Sequence, residues 1–373
     1  MPVPLIPSSW CEIHCDRISR NLELALGLVP DGVRFCAVMK ADAYGHGINR
    51  VVPLLLEQGV SHIGITSNAE ARAVRDAGFS DRLIRLRAAA PQEMAEALDD
   101  RVEEQVGSLW AARQLRQLFG SDPLPTGVHL ALNCDGMSRD GLEMSTETGR
   151  KDCQEILDEI GRNVVGICTH FPANEPAPLR QSSDLFKLQV AWICDNSDLK
   201  RSDLVVHAGS TLTLLSGQQV ETDMYRCGAI LYGILNPELG FRPTMELKSR
   251  VVHLGDYPEG ATVGYDRGSR LETDRRLACI SIGYAAGYSR IAQARGAVLI
   301  RGKRAPVLGK VSMNSIVADI TGICDAQVGD EAIVFGGNGP NSIGPDAAVT
   351  QFGTILPDLF SDWGMRNPRG YRC

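Results

Sequence analysis

The sequence predicts a parallel (β/α)8 barrel followed by a separate all-β domain, and three observations carry that prediction. Eight short runs rich in apolar and β-branched residues alternate with segments of helical period over the first two-thirds of the chain. After about Phe241 the rhythm changes to short strands separated by Gly, Pro and Asp turns. The 373 residues are more than twice the ~150 of an average domain.

The runs, in order, are 35–40 (FCAVMK), 62–66 (HIGIT), 83–87 (LIRLR), 102–106 (VEEQV), 128–133 (VHLALN), 164–170 (VVGICTH), 203–210 (DLVVHAGS) and 224–231 (MYRCGAIL). Segments such as EARAVRDAG at 70–78 lie between them, with apolar positions three and four apart and a glycine stop. Eight strands alternating with helices favour a closed barrel over an open sheet. Short strands are then expected at 251–254, 262–265, 277–282, 297–300, 316–320 and 331–335. The expected division is a cofactor-binding barrel at 12–241, with 1–11 and 242–373 in the β-domain. FGGNGPNSIG reads as a turn-rich loop without the spacing of a dinucleotide fingerprint, and nothing matches a P-loop.

With 44% hydrophobic and 22% charged residues the chain can bury a large core, which excludes disorder. Lys+Arg 38 against Asp+Glu 45 leaves −7, and no basic cluster suggests a nucleic-acid or anionic-membrane partner. No run approaches the length of a membrane span. The first ten residues lack the basic and apolar regions of a signal peptide, so the cytoplasm is expected, or the periplasm if a leader has been removed. The 11 cysteines form no CxxC or zinc-type spacing and read as free thiols in a reducing compartment; no metal site is expected.

Catalytic groups of such barrels sit at the C-terminal ends of the strands. Lys40 closes the first run, Arg139 follows the fifth, His170 closes the sixth and Ser210 the seventh, and Arg226 lies in the eighth before Cys227, Gly228 and Ala229. A lysine at the end of a buried strand loses water easily, which favours the neutral, nucleophilic amine of a Schiff-base lysine. Ser210 and the Gly228 and Ala229 amides fall where these barrels bind phosphate. A lysine facing a phosphate site points to pyridoxal 5'-phosphate.

VMKADAYGHG, with Lys40, Tyr44, Gly45, His46 and Gly47, resembles the cofactor-lysine motif of the alanine racemase family, fold-type III pyridoxal-phosphate enzymes. GMSRDGLE, THF, YRCGAILYG, VGYDR, ISIGYAAGYSR and KVSMN follow in order, so the resemblance spans nearly the whole chain. It implies a homodimer whose active sites are each completed by the partner, acting on a free amino acid. It implies that Lys40 holds the cofactor and exchanges a proton on one face of the substrate Cα, with Tyr284 of the other subunit serving the opposite face. It places Arg226 on the pyridine nitrogen, His170 near the ring, Arg139 on the ring hydroxyl, and Tyr44, Ser210, Gly228 and Ala229 around the phosphate. Two bases on opposite faces are what inversion at Cα needs.

Departures within the resemblance bear on the substrate. Leu132 stands where many relatives carry a carbamylated lysine, Asn314 where aspartate is usual, and Met365 where a C-terminal tyrosine narrows the alanine pocket. RLIRLRAAAP, ALNCDGMSRDGLE, SMN and WGxxNP are similar instead to the broad-specificity amino-acid racemases, although Asp135, Asp140, Gly209 and Ala286 depart even from those. Arg85, Arg87, Asn133, Asp135, Met313, Asn314 and Met365 are the expected substrate-pocket residues. Arg85 and Arg87 share a strand face, and two arginines inside a barrel require anionic partners. The expected activity is two-base racemisation of several amino acids. The alternatives are an alanine-specific racemase, or a decarboxylase or aldolase of the same fold type acting on D-amino acids.

Overall fold

The computed structural model describes residues 6–120, 123–293 and 295–373, which fall into two compact units. One comprises Leu22–Ala43 and Ile48–Leu231; the other comprises the residues up to Asn21, Tyr44–Gly47 and Tyr232–Cys373. The chain opens with β1 (Ser9–His14) and the helix Cys15–Leu28. Eight strands follow: β2 (Arg34–Val38), β3 (His62–Ile65), β4 (Arg82–Arg85), β5 (Val102–Val106), β6 (Val128–Ala131), β7 (Val164–Cys168), β8 (Val205–His207) and β9 (Met224–Cys227).

These eight pair in the order β8-β7-β6-β5-β4-β3-β2-β9, every pairing parallel. The ends meet where Asp223 donates its N–H to the Val206 carbonyl at 2.7 Å and Arg226 donates to Gly209 at 2.9 Å. Each of the eight expected runs is one of these strands. The expected ends overran several of them, 128–133 against Val128–Ala131 for example, because the last residues leave the sheet for the loops.

Both faces of most strands are covered, so most runs are apolar rather than alternating, with β5 (VEEQV) the exception. Val106, Val128, Leu130, Ile167 and Val206 face the helices, where they meet Leu115, Ile156, Leu179, Phe186 and Ile193. Cys36, Ile84 and Met224, with Leu86 and Val205, form a smaller cluster within the barrel. Since neighbours along a strand point to opposite faces, Ile84 inside places Leu83 and Arg85 outside. Val106 outside places Glu104 outside and Glu103 inside. The helix Asn68–Asp76 starts at a capping box formed by Ser67 and Glu70, and Leu109–Phe119 starts at Ser108 and stops at the left-handed Gly120.

The second unit is built on β10 (Met245–Tyr257), β11 (Thr262–Val263), β12 (Ser269–Arg270), β13 (Arg275–Ile280), β14 (Ala297–Ile300), β15 (Lys303–Leu308), β16 (Ile316–Asp319), β17 (Glu331–Phe335) and β18 (Arg369–Arg372). Its main sheet runs β13-β16-β15-β14-β17-β10-β1-β18 and is antiparallel except for β1 beside β18. The helices Pro345–Phe352 and Leu356–Arg366 bring Phe352, Phe360 and Trp363 onto Phe335, with ring centroids 5.4–5.5 Å apart along the chain Phe335–Trp363–Phe352. Residues 12–21, expected with the barrel, lie in this unit because β1 pairs with β10 and β18. The parallel pairing of β1 with β18 also sets Cys15 beside Cys373, and the two form a disulfide across 358 residues of sequence. The reading of all 11 cysteines as free thiols is corrected at this pair; the other nine are free. No helix among the described residues is long and apolar enough to cross a membrane.

Candidate active site

Lys40 leaves the end of β2, and the backbone then makes a left-handed turn. Ala41, Asp42, Ala43 and Tyr44 have φ between 53° and 58°. For residues with a Cβ each such conformation costs about 1–2 kcal/mol, so a run of four must be imposed by its surroundings. Glu70 supplies part of the constraint. Its Oε1 accepts the Ala41 N–H at 2.7 Å, while Oε2 accepts the N–H groups of Thr66 and Ser67 after β3. Asp42 accepts the Ile48 N–H at 2.8 Å. Backbone strain held by neighbouring hydrogen bonds is a feature of functional sites. Lys40 retains solvent-exposed surface, yet partial burial lowers its pKa, the Arg139 cation lowers it further and Glu70 opposes both.

Arg226, buried in β9, is held on every side of its Nη groups. Nη1 donates to His207 Nδ1 at 2.7 Å and to the His207 carbonyl at 2.8 Å; Nη2 donates to the Thr169 carbonyl at 2.7 Å. His170 lies 3.4 Å from Nη2, and burial together with Arg226, Arg139 and Lys40 presses its pKa down to about 4. The structure therefore gathers Lys40, Arg139, His170 and Arg226 into one cationic field at the strand ends, around an imidazole kept neutral. Arg139 is half exposed and pairs with Asp140 at 3.4 Å, and the positive face that it forms with Arg226 and Lys40 fits an anionic ligand.

Ser210 caps the short helix Thr211–Leu215, and the buried Gly228 amide donates to Thr211 Oγ1 at 3.2 Å. Ala229 opens the 3-10 turn that follows β9. Gly209, where relatives were expected to carry asparagine, leaves room for Tyr225: a Cβ there would come within 2.4 Å of the ring. Tyr44 is buried, with its ring 4.9 Å from Tyr232. Gly45 of the same motif has φ +81°, and a Cβ on it would lie 2.2 Å from the Phe360 carbonyl oxygen.

The expected pocket residues of the barrel fare differently. Arg85 does not point into the barrel. It lies on the outer face of β4 with no exposed surface, donating to Glu104 Oε2 at 2.8 Å and Oε1 at 3.1 Å and to Asn68 Oδ1 at 2.7 Å. Arg87, beyond the end of β4, pairs with Glu93. The anionic partners these arginines require are thus Glu104 and Glu93 of the same chain, and the premise of two arginines inside the barrel is corrected. Asn133 staples its own loop, accepting from Ser138 N–H and donating to Glu143 at 2.6 Å. Asp135 is exposed at φ +58° and accepts from Ser182 Oγ at 2.7 Å. Leu132 is buried in the outer core.

In the second unit Tyr284 is 38% exposed on a 3-10 turn whose N–H donates to the Ser312 carbonyl. Met313 and Asn314 are exposed on the adjoining loop, and Met365 is 74% exposed near the end of Leu356–Arg366.

Sequence reasoning missed Glu70, Asp42, Glu103 and His129. Glu70 was visible as the fourth residue of a capping box, but nothing local announces that the same carboxylate reaches Ala41. His129 is buried, and it bonds to His207 and Glu103.

Comparison with known proteins agrees with this fold. Residues 13–236 match the family model for the alanine racemase N-terminal domain, and residues 244–371 match the C-terminal domain. The chain is 38% identical over 363 residues to a broad specificity amino-acid racemase of Pseudomonas putida, covering 97% of this chain and 89% of that protein. It is 36% identical over 365 residues to a lysine racemase of Proteus mirabilis, covering 98% and 90%. The crystal structure of alanine racemase from Streptomyces lavendulae superposes with a TM-score of 0.89 at 25% identity, over 99% of this chain and 98% of that one.

Proposed function

Because the chain belongs to the alanine racemase family, we propose that it is a pyridoxal-phosphate-dependent amino-acid racemase of broad specificity, working with Lys40 and Tyr284 as its two bases. The observation that carries this reading is the shared field of Lys40, Arg139 and Arg226 around a neutral His170. Such a donor set fits an anionic, phosphate-bearing aromatic cofactor. Lys40 would hold it, Arg226 would meet the ring nitrogen, Arg139 the ring hydroxyl, and Tyr44, Ser210, Gly228 and Ala229 the phosphate. When bound, the group supplies an electron sink for the carbanion left by loss of the Cα proton.

The residues divide the rest of the work. The lowered pKa of Lys40 raises the share of neutral amine, which can take or return the proton at Cα on one face. Arg226, a permanent cation with only donors, opposes protonation of the ring nitrogen and so moderates the sink. The phenol of Tyr284 serves the opposite face; its exposure fits presentation to a second copy of the chain. The exposed, adaptable Met365 sets little bulk against a substrate side chain. Asp135 offers a carboxylate for a cationic one. The names of the P. putida and P. mirabilis relatives support the same range.

Two measurements test the proposal. Purified protein should carry bound pyridoxal phosphate, and borohydride reduction with peptide mapping should mark Lys40. Incubation with single L-amino acids, resolved by chiral chromatography, should yield several D-products. An adduct elsewhere refutes the assignment of Lys40, and turnover of alanine alone refutes the broad range.

A further inference from the structure

The barrel interior contains a hydrogen-bonded line that the sequence did not announce. Arg226 Nη1 donates to His207 Nδ1 at 2.7 Å, His207 Nε2 lies 2.9 Å from His129 Nδ1, and His129 Nε2 lies 2.8 Å from Glu103 Oε2. Glu103 Oε1 accepts in turn from Arg82 Nη1 at 2.6 Å, at the rim where β4 begins. His129 and His207 are both buried, 1% exposed each, with their rings set edge to face at 4.9 Å.

The sheet is built to let this line pass. β7 separates β6 from β8, and Gly166 lies opposite His129. A Cβ on Gly166 would sit 2.3 Å from His129 Nδ1. Glycine at that position is what allows the two imidazoles to meet across the intervening strand.

The chemistry of the ends fixes the order of every proton between them. A guanidinium only donates and a carboxylate only accepts. His207 must therefore accept at Nδ1 and donate from Nε2, and His129 must accept at Nδ1 and donate from Nε2 to Glu103. The other ionisable groups facing the line do not compete. His62 is held neutral, its pKa pressed to about 4 by burial, Arg34 and Arg82. The Cys36, Cys168 and Cys227 thiols are pushed up to about 12 by burial.

We propose that Glu103 and His129 are positioning residues for Arg226: through His207 they fix which imidazole nitrogen faces the guanidinium, and so hold Arg226 in place as a donor toward the cofactor ring. Without the carboxylate His207 is free to turn an N–H toward Arg226, and two donors then face each other. A buried carboxylate that sets the tautomer of a histidine acts through orientation rather than contact with substrate. The inference rests on the pyridoxal-phosphate reading only for the identity of the ring; the proton order stands on the protein alone.

The test is long-range 15N–1H correlation of histidine-labelled holoenzyme, with and without Glu103→Gln and Gly166→Ala. The wild type should show His207 and His129 each with a proton on Nε2 and a bare Nδ1. Glu103→Gln, whose amide can donate or accept, should mix the tautomers of both rings. It should also lower kcat, by roughly tenfold at most because Glu103 acts through two imidazoles and supporting groups in direct contact with a ligand reach about 10- to 100-fold, with little change in KM, and shift the absorption maximum of the bound cofactor. Gly166→Ala should give the same tautomer mixing with every ionisable group kept. A proton on His207 Nδ1 in the wild type overturns the inference. So does a Glu103→Gln enzyme that loses thermal stability while keeping its kcat and spectrum. Protein that binds no pyridoxal phosphate overturns the functional reading instead, since the proton order is read equally well without it.

Discussion

Replacing Arg85 with alanine separates a structural arginine from a substrate-binding one. Its guanidinium is fully buried and makes two hydrogen bonds to Glu104, whose side chain is 1% exposed, and one to Asn68. Arg85→Ala leaves that carboxylate buried and unpaired, which costs about 3–5 kcal/mol. At roughly 2–4 °C per kcal/mol for a unit of this size, the melting temperature should fall by about 6–20 °C. The loss should depend on pH in a defined direction. Burial already raises the Glu104 pKa in the native protein despite Arg85, and the variant removes the opposing cation. A group whose folded pKa lies above its unfolded value favours the fold below the unfolded pKa and loses that contribution as pH rises. Arg85→Ala should therefore lie closest to wild type at the acidic end and fall furthest behind near neutrality. Arg85→Met combined with Glu104→Leu, which removes both charges, should recover most of the melting temperature. Calorimetry of the holoenzyme over a pH series, with racemase assays below the melting range, gives both readouts. Unchanged melting with a selective loss of activity on one class of side chain would refute the reasoning and return Arg85 to the substrate.

Mixing Lys40→Ala and Tyr284→Phe subunits should restore part of the activity that each variant lacks, because one hybrid site regains both bases; mixtures that stay inactive after proven subunit exchange would place both bases in one chain. Met365→Tyr should reduce turnover of long side chains by about tenfold relative to alanine, the discrimination expected of modest bulk in a pocket, and equal effects on both would remove Met365 from the site. The Glu246 carboxyl, which burial alone would raise, is driven down from 4.5 to about 2 by His14 and Lys248. Its contribution to stability is complete above pH 4.5 and disappears as pH falls toward 2. Glu246→Gln should flatten that segment of the acid-unfolding profile, and an unchanged slope in urea titrations between pH 5 and 3 would contradict the assignment.

The barrel was legible because parallel strands covered on both faces write themselves as continuous apolar runs. That same property hid the direction of Arg85. In LIRLR both Leu83 and Ile84 are apolar, so composition does not say which faces the axis, and a shift of one residue exchanges the two faces. Only the cluster of Ile84 with Cys36 and Met224 decides it. The neighbouring acids show the same ambiguity in reverse. Glu103 and Glu104 are adjacent and chemically alike, yet one faces the imidazoles inside the barrel and the other faces Arg85 outside. The Cys15–Cys373 pair was illegible for a different reason, since the parallel register of β1 with β18 is a contact between the two ends of the chain.

The candidate site was legible where a motif compresses chemistry into a few residues, as in VMKADAYGHG. It was illegible where chemistry is assembled across strands. His129, His207 and Glu103 come from three strands, and each one alone is an ordinary polar residue of its strand. What links them is the space between, and that space is written in glycine. Gly166 admits His129, and Gly209 admits the Tyr225 ring. Gly64 in the same sheet plays this part for Leu86, since a Cβ there would lie 2.5 Å from Leu86 Cδ1. A closed barrel of eight strands has little interior volume, so large side chains inside it need small ones beside them. Tyr225, next to the inward Met224, faces outward, and there too the ring takes the space that a side chain at 209 would need; Gly209, which looked like a departure from the relatives' pattern, is one half of that pair. Its replacement has to be judged with that ring in view, not as a change to the cofactor site alone.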